Sequence, residues 1–289
     1  MSLFKSPEAE AAYRSAYDNS LRLWPAEHER FDIATGFGST HVIACGPADG
    51  KPVLLLHAMG FSATMWYATV SGLSGEFRCY AADFPSDMGL SAMTCPPASL
   101  ADCAAWLSAL LDCLGIVRSV LVGASYGSFL ALNYAIAEPA RVSKVLLTSP
   151  AAGFVALRKS FYLKLFLSIL TFLLPGRSAP EKMMRWIFED RLPLDHPVIR
   201  QMMVGIRSLN SRIRVYPRVF GDSELAKMQA PLYLLLGEKE VCYNPQSAAQ
   251  RARRTVGNAS VEIVPNAGHM LVMERPEIVN PGIAAFLRD

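Results

Sequence analysis

The sequence predicts an α/β fold, with a mostly parallel central sheet, helices on both of its faces and an inserted helical cap. Three observations predict it. Short apolar runs alternate with stretches of helical periodicity as far as residue 150. Between residues 150 and 217 the alternation stops, and the chain becomes apolar, methionine-containing and helical in pattern. From residue 218 the alternation resumes. The expected organisation is a core of residues 1–149 and 218–289 with residues 150–217 inserted as the cap.

The elements follow in order. Ser6-Pro7-Glu8 offers an N-cap, a proline at the first helical position and an early acid. Tyr13, Tyr17, Leu21 and Trp24 recur at helical spacing, so a helix is expected over residues 6–24, ended by Pro25 and packed outside the main sheet. Residues 31–35 and 39–44 flank Gly36 and Gly38 and predict a hairpin. Residues 53–56 (VLLL) form a continuous apolar run, the mark of a strand covered on both faces. Residues 77–82, 119–122 and 142–148 read as further strands, and 100–114 and 126–137 as helices. In the insertion, Pro175, Pro180, Pro193 and Pro197 interrupt the helical pattern. Strands at 232–236 and 260–264, a helix at 247–255 and a last helix running to Leu287 complete the chain.

Composition narrows the class. Hydrophobic residues make up 52% and charged residues 18% of the chain, which excludes a disordered polymer. The net charge is +3 and the basic residues are scattered. Their densest cluster, Arg251, Arg253 and Arg254, reads as one solvated helix face, so no nucleic-acid partner is expected. Six cysteines show no CxxC pair and no Cys/His metal spacing; reduced thiols are expected, with no metal and no cofactor. The first ten residues lack the apolar core of a signal peptide, and a cytoplasmic location is the default. Residues 161–174 (FYLKLFLSILTFLL) are nearly all apolar but contain Lys164 and end at Pro175-Gly176. A bilayer span needs about 20 apolar residues, so no transmembrane segment is expected. The stretch reads as a buried or cap helix, with interfacial contact with lipid as the alternative.

The chemistry centres on Gly123-Ala124-Ser125-Tyr126-Gly127, a GxSxG pattern between an expected strand and an expected helix. A tight turn there strains the serine backbone and raises its hydroxyl above the sheet edge. The small residues on either side let strand and helix pass closely, and the helix N-terminus favours developing negative charge. A serine hydroxyl needs a neighbouring base. Among five histidines, His269 alone lies in a loop beyond a late strand, where ligand chemistry gathers in open α/β sheets. The third member should be an acid between serine and histidine in chain order. The strand at 232–236 runs into Gly237-Glu238-Lys239-Glu240; Glu240 is the favoured acid and Glu238 its competitor. The loop His57-Ala58-Met59-Gly60 follows another strand. It can lend the amide of Met59 to an oxyanion hole, with the amide of Tyr126 as second donor. His57 reads as a hydrogen-bonded loop anchor, and Asp83 as a residue that ties down its own loop.

With these pieces in place, the chain resembles the α/β-hydrolase superfamily, and within it a group of bacterial carboxylesterases. The resemblance rests on LLLHAMGFSATMWY at 54–67, VGASYGS at 122–128, LLLGEKEVCYNP at 234–245 and NAGHMLVMERP at 266–276, with THVIACGP at 40–47. It implies a Ser–acid–His triad of Ser125, Glu240 and His269, oxyanion donors at Met59 and Tyr126, no metal, and a cap over the pocket. The superfamily's usual acid is Asp; Glu fits the narrower group. His57-Ala58 replaces the usual His-Gly, and alanine adopts positive φ less cheaply than glycine. The implied activity is hydrolysis of a small or medium apolar carboxylic ester through an acyl-enzyme. A thioesterase, lactonase, acyltransferase or C–C hydrolase with the same triad is the alternative, and a non-catalytic ligand-binding member the remote one.

Overall fold

A computed structural model describes residues 3–172, 178–188, 191–211 and 213–289. The strands are β1 (His28–Thr35), β2 (Gly38–Cys45), β3 (Lys51–Leu56), β4 (Phe77–Ala82), β5 (Ala92–Met93), β6 (Ser119–Ala124), β7 (Val142–Thr148), β8 (Leu232–Gly237) and β9 (Ala259–Val264). They form one sheet in the order β1-β2-β4-β3-β6-β7-β8-β9, with the short β5 paired to β2. The β1–β2 hairpin and the β2–β4 pair are antiparallel, and every pair from β4 onward along that order is parallel.

The helices are α1 (Pro7–Leu21), α2 (Tyr67–Val70), α3 (Leu100–Cys113), α4 (Tyr126–Ala137), α5 (Lys159–Phe172), α6 (Ser178–Ile187), α7 (Pro197–Ser208), α8 (Asp222–Leu225), α9 (Pro245–Thr255), α10 (Leu271–Glu274) and α11 (Pro276–Arg288). The central strands explain the continuous apolar runs. Val53 and Leu55 of β3 enter one core, with α1, α10 and α11. Leu54 and Leu56 enter the other, with α3, α4 and α9. Side chains alternate across a strand, so a sheet with a core on each face needs apolar residues at every position.

Helices α5, α6 and α7 all fall between β7 and β8, inside the stretch expected to form the cap. Proline plays a different part there from the one expected. Pro180 lies in the first turn of α6, and Pro197 starts α7 with His196 as its N-cap. In these positions proline begins a helix, because its missing N–H has no partner there anyway. Pro175 and Gly176 lie outside the described residues.

The N-terminal helix is shorter than expected. Ser6 caps it as foreseen, accepting from the Ala9 amide, but it ends at Leu21. Trp24 lies beyond it, and its indole donates to the Thr64 carbonyl at 3.1 Å. Its apparent helical spacing therefore reflects tertiary packing. Helix α1 sits outside the sheet, against α7 and the turn at Ala63–Trp66.

Candidate active site

Three neighbouring parts of the sheet converge on one place. Ser125 follows β6, Glu240 follows β8 and His269 follows β9. Ser125 has φ 50° and ψ −108°, a conformation that costs an L-residue energy and persists only where the surroundings enforce it. They do so by hydrogen bonds on both sides of its peptide: Ser125 N donates to Thr148 O, and Ser125 O accepts from Ala151 N and Phe129 N. The flanking glycines are required by space. A Cβ on Gly127 would collide with the Leu56 carbonyl, and one on Gly123 would lie 2.5 Å from the Gly127 oxygen.

From this turn Ser125 Oγ lies 2.8 Å from His269 Nε2. His269 Nδ1 donates to the Glu240 carboxylate, 2.9 Å from Oε1 and 2.8 Å from Oε2. With Nδ1 carrying the proton, Nε2 is left as an acceptor facing the hydroxyl. All three residues are buried. Glu240 also accepts from the Cys242 amide. Glu238 is exposed, and its carboxylate accepts from the Asn266 amide at 2.9 Å, at the start of the loop that carries His269. Sequence left the two acids as competitors; the structure brings Glu240 to His269 and Glu238 to the base of its loop.

Electrostatics follow from burial and pairing. Burial opposes the charged forms of both His269 and Glu240, but each stabilises the other's charge. Cys242 and the Glu240 carboxylate together hold the imidazole well above the ordinary histidine range, and the imidazole with the Cys242 amide keeps Glu240 below the ordinary glutamate value. Burial raises the Cys242 thiol, which therefore stays neutral beside them. Among the described residues, Glu240, Cys242 and His269 are the one group whose donor atoms lie close enough for a metal, within 4.8 Å of one another. Two of the three are already committed to each other.

Met59 and Tyr126 occupy opposite sides of the serine turn in sequence. Tyr126 opens α4, where an amide has no intrahelical acceptor, and its hydroxyl donates to Val215 O at 2.7 Å. Met59 is partly exposed, between amides that are engaged: Ala58 N donates to Met65 Sδ and Gly60 N to both oxygens of Asp87. The concern over Ala58 is resolved by the backbone. Positive φ falls at Gly60, at 81°, and Ala58 needs none.

The supporting residues come from elsewhere in the chain. His57 anchors its loop, with Nε2 accepting from Phe84 N at 2.8 Å and Nδ1 donating to Ala58 O. Asp83 ties three segments, accepting from Ala63 N, Leu90 N and the Tyr17 hydroxyl. Sequence reasoning missed two others. Asp87, fully buried, is raised to about 6 by desolvation. Glu274 accepts from Gly268 N and Met270 N, gripping the backbone on both sides of His269. Glu274 stands at the end of an otherwise apolar LVME turn, and only its burial in the structure marks it out. The remaining histidines lie in other roles: His41 pairs with Asp32, His28 contacts Ala26 O, and His196 caps α7.

The chain is similar to known proteins over nearly its whole length. The model of the "Alpha/beta hydrolase family" matches residues 53–281. The chain is 37% identical to carboxylesterase YbfK of Bacillus subtilis (strain 168), over 98% of this chain and 96% of that protein. It is also 37% identical to a B. subtilis protein named uncharacterized carboxylesterase nap, over 95% and 91%. The crystal structure of naproxen esterase (carboxylesterase NP) from B. subtilis superposes with a TM-score of 0.91 at 34% identity, covering 98% of this chain and 99% of that one. A strained serine turn, a buried Ser–His–Glu hydrogen-bonded chain and this likeness lead to one assignment: the protein belongs to the alpha/beta hydrolase family.

Proposed function

We propose that the protein is a carboxylic ester hydrolase with Ser125 as nucleophile, His269 as general base and Glu240 as the acid that orients it. The observation that carries this reading is the unbroken hydrogen-bonded chain from Ser125 Oγ through His269 to Glu240, held at 2.8–2.9 Å. His269 Nε2 takes the hydroxyl proton as Oγ attacks the ester carbonyl. The Met59 and Tyr126 amides receive the negative charge that develops on the carbonyl oxygen. His269 then gives its proton to the leaving alkoxide, which departs and leaves an acyl group on Ser125. Water, deprotonated by the same nitrogen, cleaves the acyl-enzyme and frees the acid. Glu240 stays ionised throughout, holding Nδ1–H and stabilising the imidazolium. The names carried by the B. subtilis relatives support an ester substrate. Residues 150–217, apolar in sequence and carrying α5, α6 and α7, are read as the cap over the acyl site.

The test is labelling and turnover together. A fluorophosphonate should add to Ser125 and to no other residue, and Ser125→Ala should lose on the order of a million-fold in turnover of p-nitrophenyl butyrate. Labelling that survives in Ser125→Ala would falsify the assignment. Turnover of thioesters or lactones in place of simple esters would move the substrate class while leaving the triad intact.

A further inference from the structure

Helix α5 exposes an unusual amount of apolar surface. Tyr162, Leu163, Leu165, Phe166 and Leu167 are 52, 59, 38, 61 and 47% exposed. Among the described residues, the other large apolar side chains of comparable exposure, Met59, Val117 and Tyr216, are scattered singly. Isolated exposed apolar residues are ordinary, but a contiguous patch marks an interaction site. At about 100° per residue the five side chains sweep an arc of about 200°. One packing helix covers an apolar stripe of roughly half that width. A fluid interface can cover all of it.

Charge identifies the interface. Residues 151–180 contain no Asp or Glu, and they contain Arg158, Lys159, Lys164 and Arg177. Arg158, Lys159 and Lys164 are exposed. Lys164 Nζ lies 3.8 Å from the centre of the Trp186 ring, which keeps a cation on the flank of the apolar row. A second copy of the chain laid on this face would set these bases against their own images. An anionic lipid surface meets both features at once: apolar side chains enter the boundary between headgroups and acyl chains, and lysines and arginines meet the negative surface potential.

The chain that leads into the patch passes the site. Ala151 N donates to the carbonyl of Ser125, and Arg158 N donates to the carbonyl of Cys242, two residues past Glu240. The segment that leaves the serine turn and passes the acid loop is the one that runs into α5.

We propose that the exposed face of α5 docks the protein onto an anionic phospholipid interface, with the site held against the membrane so that lipophilic esters reach it from the lipid phase. Docking stands on the surface alone; delivery of esters rests on the hydrolase reading above. No helix among the described residues is long and apolar enough to cross a membrane, so the contact is peripheral.

Flotation of the full chain with vesicles tests this. Vesicles of equal parts phosphatidylglycerol and phosphatidylcholine should carry the protein about tenfold or more better than phosphatidylcholine alone, and high salt should weaken the binding. Leu163→Asp with Phe166→Asp should abolish flotation on both vesicle types. Lys159→Glu with Lys164→Glu should reduce it on anionic vesicles alone, by about fivefold or more for each base. Both double variants should keep Ser125 labelling and turn over a short soluble ester within about twofold of the parent, since none of the four substituted residues hydrogen-bonds to the triad. Equal flotation of parent and variants, or none by the parent, overturns the proposal. So does a concentration-dependent dimer that Phe166→Asp dissolves without vesicle binding, which would give the face to a second copy. Flotation as expected from a protein that neither labels nor cleaves esters would sink the hydrolase reading and leave docking in place.

Discussion

Glu240 and Glu238 leave the same strand end, yet Glu240 turns into the interior and Glu238 stays at the surface. The turn is held by Lys239 N donating to Ala267 O and Glu240 N to Gly237 O. A Cβ on Gly237 would strike the Gly268 carbonyl, so glycine lets the acid loop lie against the histidine loop. Glu240→Gln should keep the fold and lose up to roughly 10⁴-fold in turnover, because the tautomer and the imidazolium both lose their support. Glu238→Gln should cost far less. A crippled Glu238→Gln would reverse the assignment. The sign of the pH dependence follows from the same contact. His269 acts as a base only when neutral, and Glu240 holds its pKa above the ordinary value of about 6.5. The buried carboxylate places the rise in activity above that ordinary value. Activity should therefore fall as pH drops through that raised midpoint. In Glu240→Gln the counter-charge is gone while burial remains, so the midpoint of residual activity should move down. A midpoint that stays in place would contradict the pairing. Chelation by EDTA should leave activity unchanged, and a loss restored by added metal would contradict a metal-free mechanism.

The loop after β3 depends on another acid. Ionised Asp87 accepts the Gly60 amide with both oxygens and the Met88 amide with one. Its pKa is raised to about 6 by burial, so lowering the pH through that value protonates it and removes acceptor capacity beneath the loop that carries Met59. The acid limb of the pH–rate profile should then steepen from a slope of one to two below about 6, as His269 and Asp87 both titrate. Asp87→Asn should lower kcat/KM by about 10- to 100-fold, less than losing an oxyanion donor outright, and return the slope to one. A variant with parental slope would show that Asp87 is only a packing group. Elements of this kind mark where sequence reasoning stops. The strands, the serine turn and α4 could be read because a period and a motif are local. Asp87 and Glu274 could not, because their partners are backbone amides set by the fold. Trp24 misled for the same reason, its spacing fitting a helix while its indole served a carbonyl 40 residues away.

Across the molecule, Gln201 of α7 joins the insertion to the core. It donates to the Tyr13 hydroxyl and the Ser62 hydroxyl and accepts from the Thr64 hydroxyl, all buried. Helix α1, the turn after β3 and the insertion thus share one polar knot. Gln201→Leu fits the space but leaves these hydroxyls short of partners, at a cost of about 2 kcal/mol. For a chain of 289 residues that lowers the Tm by about 3 °C, read by calorimetry. A shift too small to measure would mean that the knot positions without stabilising.

The insertion leaves β7 and returns to β8, and these strands are direct neighbours, with Val145 opposite Leu232 and Thr148 opposite Leu235. Parallel strands put its exit and re-entry at opposite edges of the sheet, yet its two ends meet before the chain crosses to β8: Gly153 bridges Val219, with Gly153 N donating to Arg218 O and Phe220 N to Gly153 O, while nucleophile, acid and base hang from loops outside it. Heredity can exploit that arrangement. Recombination at two breakpoints that meet in space swaps the intervening exon-sized piece and spares the reacting atoms.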